Sequence, residues 1–70
     1  MFEIFVKEKC VYCLLTKKTL EQAGFDYVVN SSREVLTGRL GDFQTYPQIF
    51  KDGEHIGGFV ELAKYLRQHE

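Results

Sequence analysis

The stretch Phe2-Glu3-Ile4-Phe5-Val6 is rich in β-favouring residues and predicts a first strand, followed by a polar loop, Lys7-Glu8-Lys9. From about Cys10 to Ala23 the period changes. Cys13, Thr16, Leu20 and Ala23 share one face at helical spacing, and Gly24 stops the helix. Phe25, Tyr27 and Val29 alternate and predict a second strand over 25–29. Asn30, Ser31 and Ser32 are N-cap candidates for a short helix from about Arg33 to Leu40, broken by Gly41 and Asp42. A loop through Phe43 and Gln44 leads to a third strand, Tyr46 to Phe50.

Lys51-Asp52-Gly53-Glu54 carries the Asp-Gly signal of a tight hairpin turn, so a short fourth strand, Glu54 to Ile56, returns antiparallel. Gly57-Gly58 permits a backbone break. Phe59, Leu62, Ala63 and Leu66 then form a stripe at i, i+3, i+4 and i+7, giving a final helix to about Gln68. The order is βαβαββα, an α/β chain. The first βαβ unit pairs its strands in parallel through a right-handed crossover, and the hairpin adds an antiparallel pair. A four-stranded mixed sheet flanked by helices on both faces follows; the strand order is left open.

Length and charge narrow the function. Seventy residues make one domain, 1–70, with a small core that ten Phe and Tyr residues help to fill. Nine basic and ten acidic residues give a net charge of −1. Without a basic stripe or tail, nucleic acid is a poor partner. The opening Met1-Phe2-Glu3-Ile4 has neither a basic n-region nor a long apolar h-region, and no run is long and apolar enough for a membrane span. The expected setting is the cytoplasm, with no membrane partner.

The chain has two cysteines, Cys10 and Cys13. A bridge between them closes a very short loop and stabilises by only about 2 kcal/mol, which suits redox exchange better than stapling. A thiolate, not a thiol, attacks a disulfide. Cys10 falls where a loop becomes a helix, so the unpaired N–H groups of Val11, Tyr12 and Cys13 should point toward its sulfur. The helix dipole favours an anion there by about 0.3–2 kcal/mol. A larger effect requires direct N–H···S bonds and a nearby cation, and Lys7 and Lys9 are the cations in reach. Cys13, one turn inside, faces the core and suits a resolving thiol. Half a zinc site is the competing use of Cys-x-x-Cys, but it would need His55 and His69, which lie far along the chain. His55 is expected at the surface of the hairpin and His69 at a fraying end. Lys17-Lys18 is expected to be a solvated face.

Four elements in order resemble the glutaredoxin family. Cys10-Val11-Tyr12-Cys13 is similar to its Cys-Pro-Tyr-Cys. Thr45-Tyr46-Pro47-Gln48-Ile49-Phe50 is similar to its Thr-Val-Pro strand, in which the proline is cis. Gly57-Gly58 resembles its paired glycines, and Glu61-Leu62 its acidic-Leu continuation. The Cys-Val-Tyr-Cys form and the short length resemble bacteriophage glutaredoxins. The resemblance implies a thioredoxin fold and a dithiol thiol–disulfide oxidoreductase acting through Cys10 and Cys13. Glutathione would be its co-substrate and reductant, with no tightly bound cofactor and no metal. It implies disulfide-containing protein substrates, ribonucleotide reductase among the candidates, and a monomer. It also implies that the Tyr46 backbone pairs with the cysteinyl unit of glutathione beside Pro47. Gly58, Phe59 and Val60 would receive the γ-glutamyl carboxylate, Tyr12 would flank the sulfur, and Lys9 or Lys7 would meet the glycyl carboxylate. Arg33 or Arg39 could share that last role.

Three departures from the family pattern matter: Val11 for proline, Tyr46 for the usual Val, and Val60 for the Asp, Ser or Thr that often follows the glycine pair. Val60 removes a side-chain cap. Two alternatives stay open. One is a glutaredoxin-like redoxin that feeds ribonucleotide reductase and is reduced by thioredoxin reductase, suggested by Thr16-Lys17-Lys18 and Gly24-Phe25-Asp26-Tyr27. The other is an iron–sulfur carrier that bridges a cluster through Cys10 and glutathione in a dimer. Leu14 and Leu15 stand where the family often has polar residues. The plainer expectation is that they close the edge of the core; the other is that at least one is exposed beside Cys10 and docks a protein.

Overall fold

The computed structural model describes residues 1–42 and 45–68; the expectations for Phe43, Gln44 and His69 lie outside them. The elements are β1 (Phe2–Phe5), α1 (Val11–Gln22), β2 (Tyr27–Asn30), α2 (Arg33–Leu40), β3 (Gln48–Lys51), β4 (Glu54–Gly57) and α3 (Phe59–Gln68). The sheet order is β2-β1-β3-β4, with β1 parallel to β2 and antiparallel to β3, and β3 antiparallel to β4.

Side chains alternate across the central strand, and the two faces of β1 are filled differently. Phe2 and Ile4 join Leu20 of α1, Ile49 of β3 and Leu62 of α3 in one buried cluster. Phe5 points the other way and packs with Phe50 and with Leu36 of α2. Helices α1 and α3 therefore cover one face and α2 the other, as the pattern implied.

The first helix keeps the expected bounds, with Cys10 and Ala23 as its caps. Cys10 is its N-cap, with extended backbone, and Val11 is the first helical residue. At the other end Gly24, at φ 80°, donates its N–H to Glu21 O at 3.1 Å, and Phe25 donates to Leu20 O at 2.9 Å. These two bonds make a Schellman cap. They use up Phe25, so β2 begins at Tyr27 rather than at 25. Ala23, expected on the core face, is the C-cap and is exposed. Val29 does not alternate inward either: β2 is an edge strand, and Val28 and Val29 are both exposed.

The third strand starts at Gln48, not Tyr46. Pro47 has no N–H to donate to the ladder, so pairing with β1 begins one residue later, Phe5 opposite Gln48. The Tyr46–Pro47 bond is cis, as the resemblance implied. The fourth strand runs one residue longer than expected, to Gly57. For α2, Ser32 is the N-cap among the three candidates, its hydroxyl accepting from Val35 N at 3.2 Å. Asn30 supports it by accepting from Ser32 N at 2.8 Å.

One ion pair ties α2 to the central strand. Arg39 donates to Glu3 at 2.5 Å, and Asn30 donates to the same carboxylate at 3.3 Å. Burial pushes the Glu3 carboxyl up, but the bonds from Arg39 and Asn30 outweigh it and hold the group below 4.5. A depressed folded-state value adds stability above the ordinary carboxylate range, and that stability is lost as pH falls through the depressed value. Both side chains are partly exposed, so the gain is under about 1 kcal/mol. Glu3→Gln is expected to melt lower than the parent at pH 7, with the gap closing in acid. A gap that stays constant across a pH series of thermal melts would contradict this assignment.

Candidate functional site

Cys10 sits on the hinge between the Lys7–Lys9 loop and α1. It forms a disulfide with Cys13, their Cα atoms 5.2 Å apart. The Cys13 N–H reaches the Cys10 sulfur at 3.2 Å, one of the three amides expected to do so. An N-cap is the place where a side chain takes up the orphan donors of a helix start. Here a sulfur does so in place of the usual oxygen. Cys13 is 3% exposed, whereas Cys10 is only half-buried. The more exposed cysteine is thus the one at the helix terminus. Lys9, immediately before it, has φ 56°.

Six of the seven expected substrate-binding residues, Tyr12, Tyr46, Pro47, Gly58, Phe59 and Val60, line one groove of about 230 Å³ together with Thr45 and Glu61. Four contacts shape it. The Tyr12 and Phe59 rings lie 5.8 Å apart, joining the starts of α1 and α3. Gln48, buried behind the groove, donates to the Thr45 carbonyl at 3.0 Å and shares a 2.8 Å hydrogen bond with His55. That anchors the segment carrying Tyr46 and Pro47. Lys7 reaches over the Tyr46 ring, 5.6 Å from its centre.

The start of α3 holds a residue whose role sequence reasoning missed. Gly58 donates its N–H to the Glu61 carboxylate at 2.8 Å. Glu61 therefore makes the reach-back half of a capping box, which compensates for the side-chain cap that Val60 cannot provide. The signal was present in the spacing of Gly58 and Glu61. Gly57 is forced by the same contact: at φ 128°, a Cβ there would lie 2.7 Å from Glu61 Cγ.

The seventh residue, Lys9, lies elsewhere. A second groove of about 380 Å³ shares no lining residue with the first. Its lining is Cys10 and Cys13 together with Val6, Lys7, Lys9, Val11, Leu14 and Lys17. Lys17 is half-buried here, not on the solvated face expected of it, and only Lys18 is fully exposed. Leu14 is 59% exposed and Leu15 38%, so neither closes the core. Arg39 is committed to Glu3 and to the Phe5 and Phe50 rings on the α2 face.

Among the described residues, no group of three or more His, Cys, Asp and Glu is placed to hold a metal ion. No helix among them is long and apolar enough to cross a membrane.

Comparison with known proteins agrees with this geometry. The Glutaredoxin family model matches residues 2–56. Glutaredoxin 3 of Escherichia coli is 38% identical over 66 residues, covering 86% of this chain and 78% of that protein. A hybrid peroxiredoxin of Haemophilus influenzae, hyPrx5, is 31% identical over 67 residues; the chain spans only 28% of its length. The buckwheat glutaredoxin–glutathione complex superimposes with a TM-score of 0.79 at 27% identity, covering 97% of this chain and 69% of that one.

Proposed function

The chain belongs to the glutaredoxin family, glutathione-dependent thiol–disulfide oxidoreductases, and on that premise we propose that Cys10 is its nucleophile and Cys13 its resolving thiol. The observation that supports this most is the asymmetry of the pair. Cys10 is a half-buried N-cap whose sulfur accepts the Cys13 N–H, while Cys13 is enclosed. Hydrogen bonding and the helix dipole both favour the anionic form of Cys10.

The exchange is written in four steps. The Cys10 thiolate attacks one sulfur of a substrate disulfide, forming a mixed disulfide and releasing the other sulfur as a thiolate. Cys13, losing its proton, attacks the Cys10 sulfur, closes the Cys10–Cys13 bond and releases the second substrate thiolate. A glutathione thiolate then opens that bond at Cys10, and Cys13 regains a proton. A second glutathione thiolate attacks the glutathione sulfur of that mixed disulfide. It leaves as glutathione disulfide and restores the Cys10 thiolate. Two electrons pass from two glutathiones to one substrate disulfide.

Glutathione fits the groove of Tyr46, Pro47, Gly58, Phe59 and Val60. Its γ-glutamyl carboxylate would meet the amides of Phe59 and Val60 at the positive end of α3. Glu61 already holds the Gly58 amide, and its charge opposes a second carboxylate there. The cysteinyl unit would run along the Tyr46 backbone, with Tyr12 flanking the sulfur. Lys9 and Lys7 carry the charge that suits the glycyl carboxylate.

The test is to supply electrons two ways to a small glutathione mixed disulfide. With glutathione, glutathione reductase and NADPH, turnover is expected. With thioredoxin reductase and NADPH alone, none is expected. The reverse pattern would overturn the glutathione reading and favour the redoxin alternative.

A further inference from the structure

The second groove shares Cys10, Lys7 and Lys9 with the glutathione reading, but its Val11, Leu14 and Lys17 have no role there. We propose that it docks the polypeptide that carries the target sulfur, and that this segment is both apolar and acidic. The proposal rests on the reading of Cys10 as nucleophile and names the substrate class of that site.

The charge is local. The whole chain has a net charge of −1, yet Lys7, Lys9 and Lys17 line this groove and, among the described residues, no carboxylate does. Among the described residues neither Lys9 nor Lys17 forms an ion pair; the recorded pairs use Arg39, Lys51 and the N-terminus. Complementary charge of this kind selects partners and speeds encounter. The apolar part is Leu14 and Val11, both largely exposed beside the reactive sulfur. Covering them removes apolar area from water.

The helix sets a ruler. Cys10, Leu14 and Lys17 stand at i, i+4 and i+7 along one side of α1. At 1.5 Å per residue, Leu14 is about 6 Å and Lys17 about 10 Å along the axis from Cys10. An extended segment rises about 3.3 Å per residue. A polypeptide whose sulfur lies against Cys10 during exchange, as the leaving thiolate does, therefore presents an apolar side chain about two residues from its cysteine and a carboxylate about three residues away.

The probes are S-glutathionylated peptides. One is Glu-Leu-Gly-Cys-Gly-Leu-Glu; a second has Lys for both Glu residues; a third has Ser for both Leu residues. In each, Cys10 attacks the glutathione sulfur, the peptide leaves as a thiolate, and free glutathione resolves the mixed disulfide. The readout is kcat/KM, with the glutathione mixed disulfide of mercaptoethanol as a small control. The acidic peptide is expected to exceed the basic one by about 10-fold at low salt, with most of that gap lost at about 0.5 M salt. Lys17→Glu should reduce turnover of the acidic peptide by about 5-fold and raise that of the basic one. Leu14→Ser should reduce turnover of the Leu-bearing peptides by about 3-fold and leave the Ser peptide unchanged. Neither substitution should change the small control or the melting temperature. Peptides that all react within about 2-fold of each other at low salt would overturn the proposal. So would a Lys17→Glu variant that loses the small control to the same degree. Failure of the parent protein on the small control would overturn the nucleophile reading, and this proposal with it.

Discussion

Cys10→Ser is expected to reduce turnover of every disulfide substrate by more than about 10³-fold, because it removes the nucleophile at the helix start, the more exposed cysteine of the pair. A serine can accept the same N–H as an N-cap, so folding should survive and the loss will read as chemistry alone. Cys13→Ser is expected to behave differently. Glutathione can resolve a Cys10–glutathione bond without help from Cys13, so glutathionylated substrates should keep activity within about 10-fold of the parent. Intramolecular protein disulfides should stall as trapped mixed disulfides. Steady-state rates on one substrate of each kind, with mass spectrometry for the trapped species, decide the matter. Equal inactivity of the two variants toward a glutathionylated substrate would reverse the assignment.

Leu62→Ala is expected to be a severe truncation of the core. Leu62 is fully buried where α3 meets the sheet, clustered with Phe2, Ile4, Leu20 and Ile49. Emptying such a site costs about 2–5 kcal/mol. A domain of this length has only about 3–10 kcal/mol to lose. The urea midpoint should fall sharply, with the slope unchanged if the variant remains two-state. Leu62→Met keeps the volume and should cost less than about 1.5 kcal/mol. A truncation cost below that of the methionine variant would mean that the core does not run through this residue.

Most of the architecture was legible because the helices announce their own ends. Gly24 and the Asp52-Gly53 turn carry local chemistry that leaves little choice of boundary, and Asn30, Ser31 and Ser32 narrow the start of α2 to three positions. The misreadings arose where tertiary context decides. Phe25 looked like a strand residue, yet its amide is consumed by the helix before it. Ala23 fell on the helical stripe but past the last turn. Val29 was read as alternating inward, but β2 is an edge strand and leaves both Val28 and Val29 exposed. Strand order was not legible, because nothing in a strand's own residues records which neighbour it pairs with. In the site, the cysteine pair and the glycine pair were readable from their spacing. Glu61 was read only as part of a motif, since its hydrogen bond depends on where α3 begins. Lys17 looked like any surface lysine, although its spacing puts it on the Cys10 side of α1, and the fold shows that both line one groove.

The left-handed backbone at Lys9 sets two demands on one residue that cannot both be met. A non-glycine side chain in that conformation costs roughly 1–2 kcal/mol, and glycine alone escapes it. Glycine would also erase the charge next to the reactive sulfur. The most stable version of this loop is therefore not the most electropositive one. Keeping a lysine in a left-handed position leaves the protein below its stability optimum at the residue adjoining its chemistry. Sequence optimisation for heat resistance alone would drift away from it, and the field around Cys10 would weaken as the melting temperature rose.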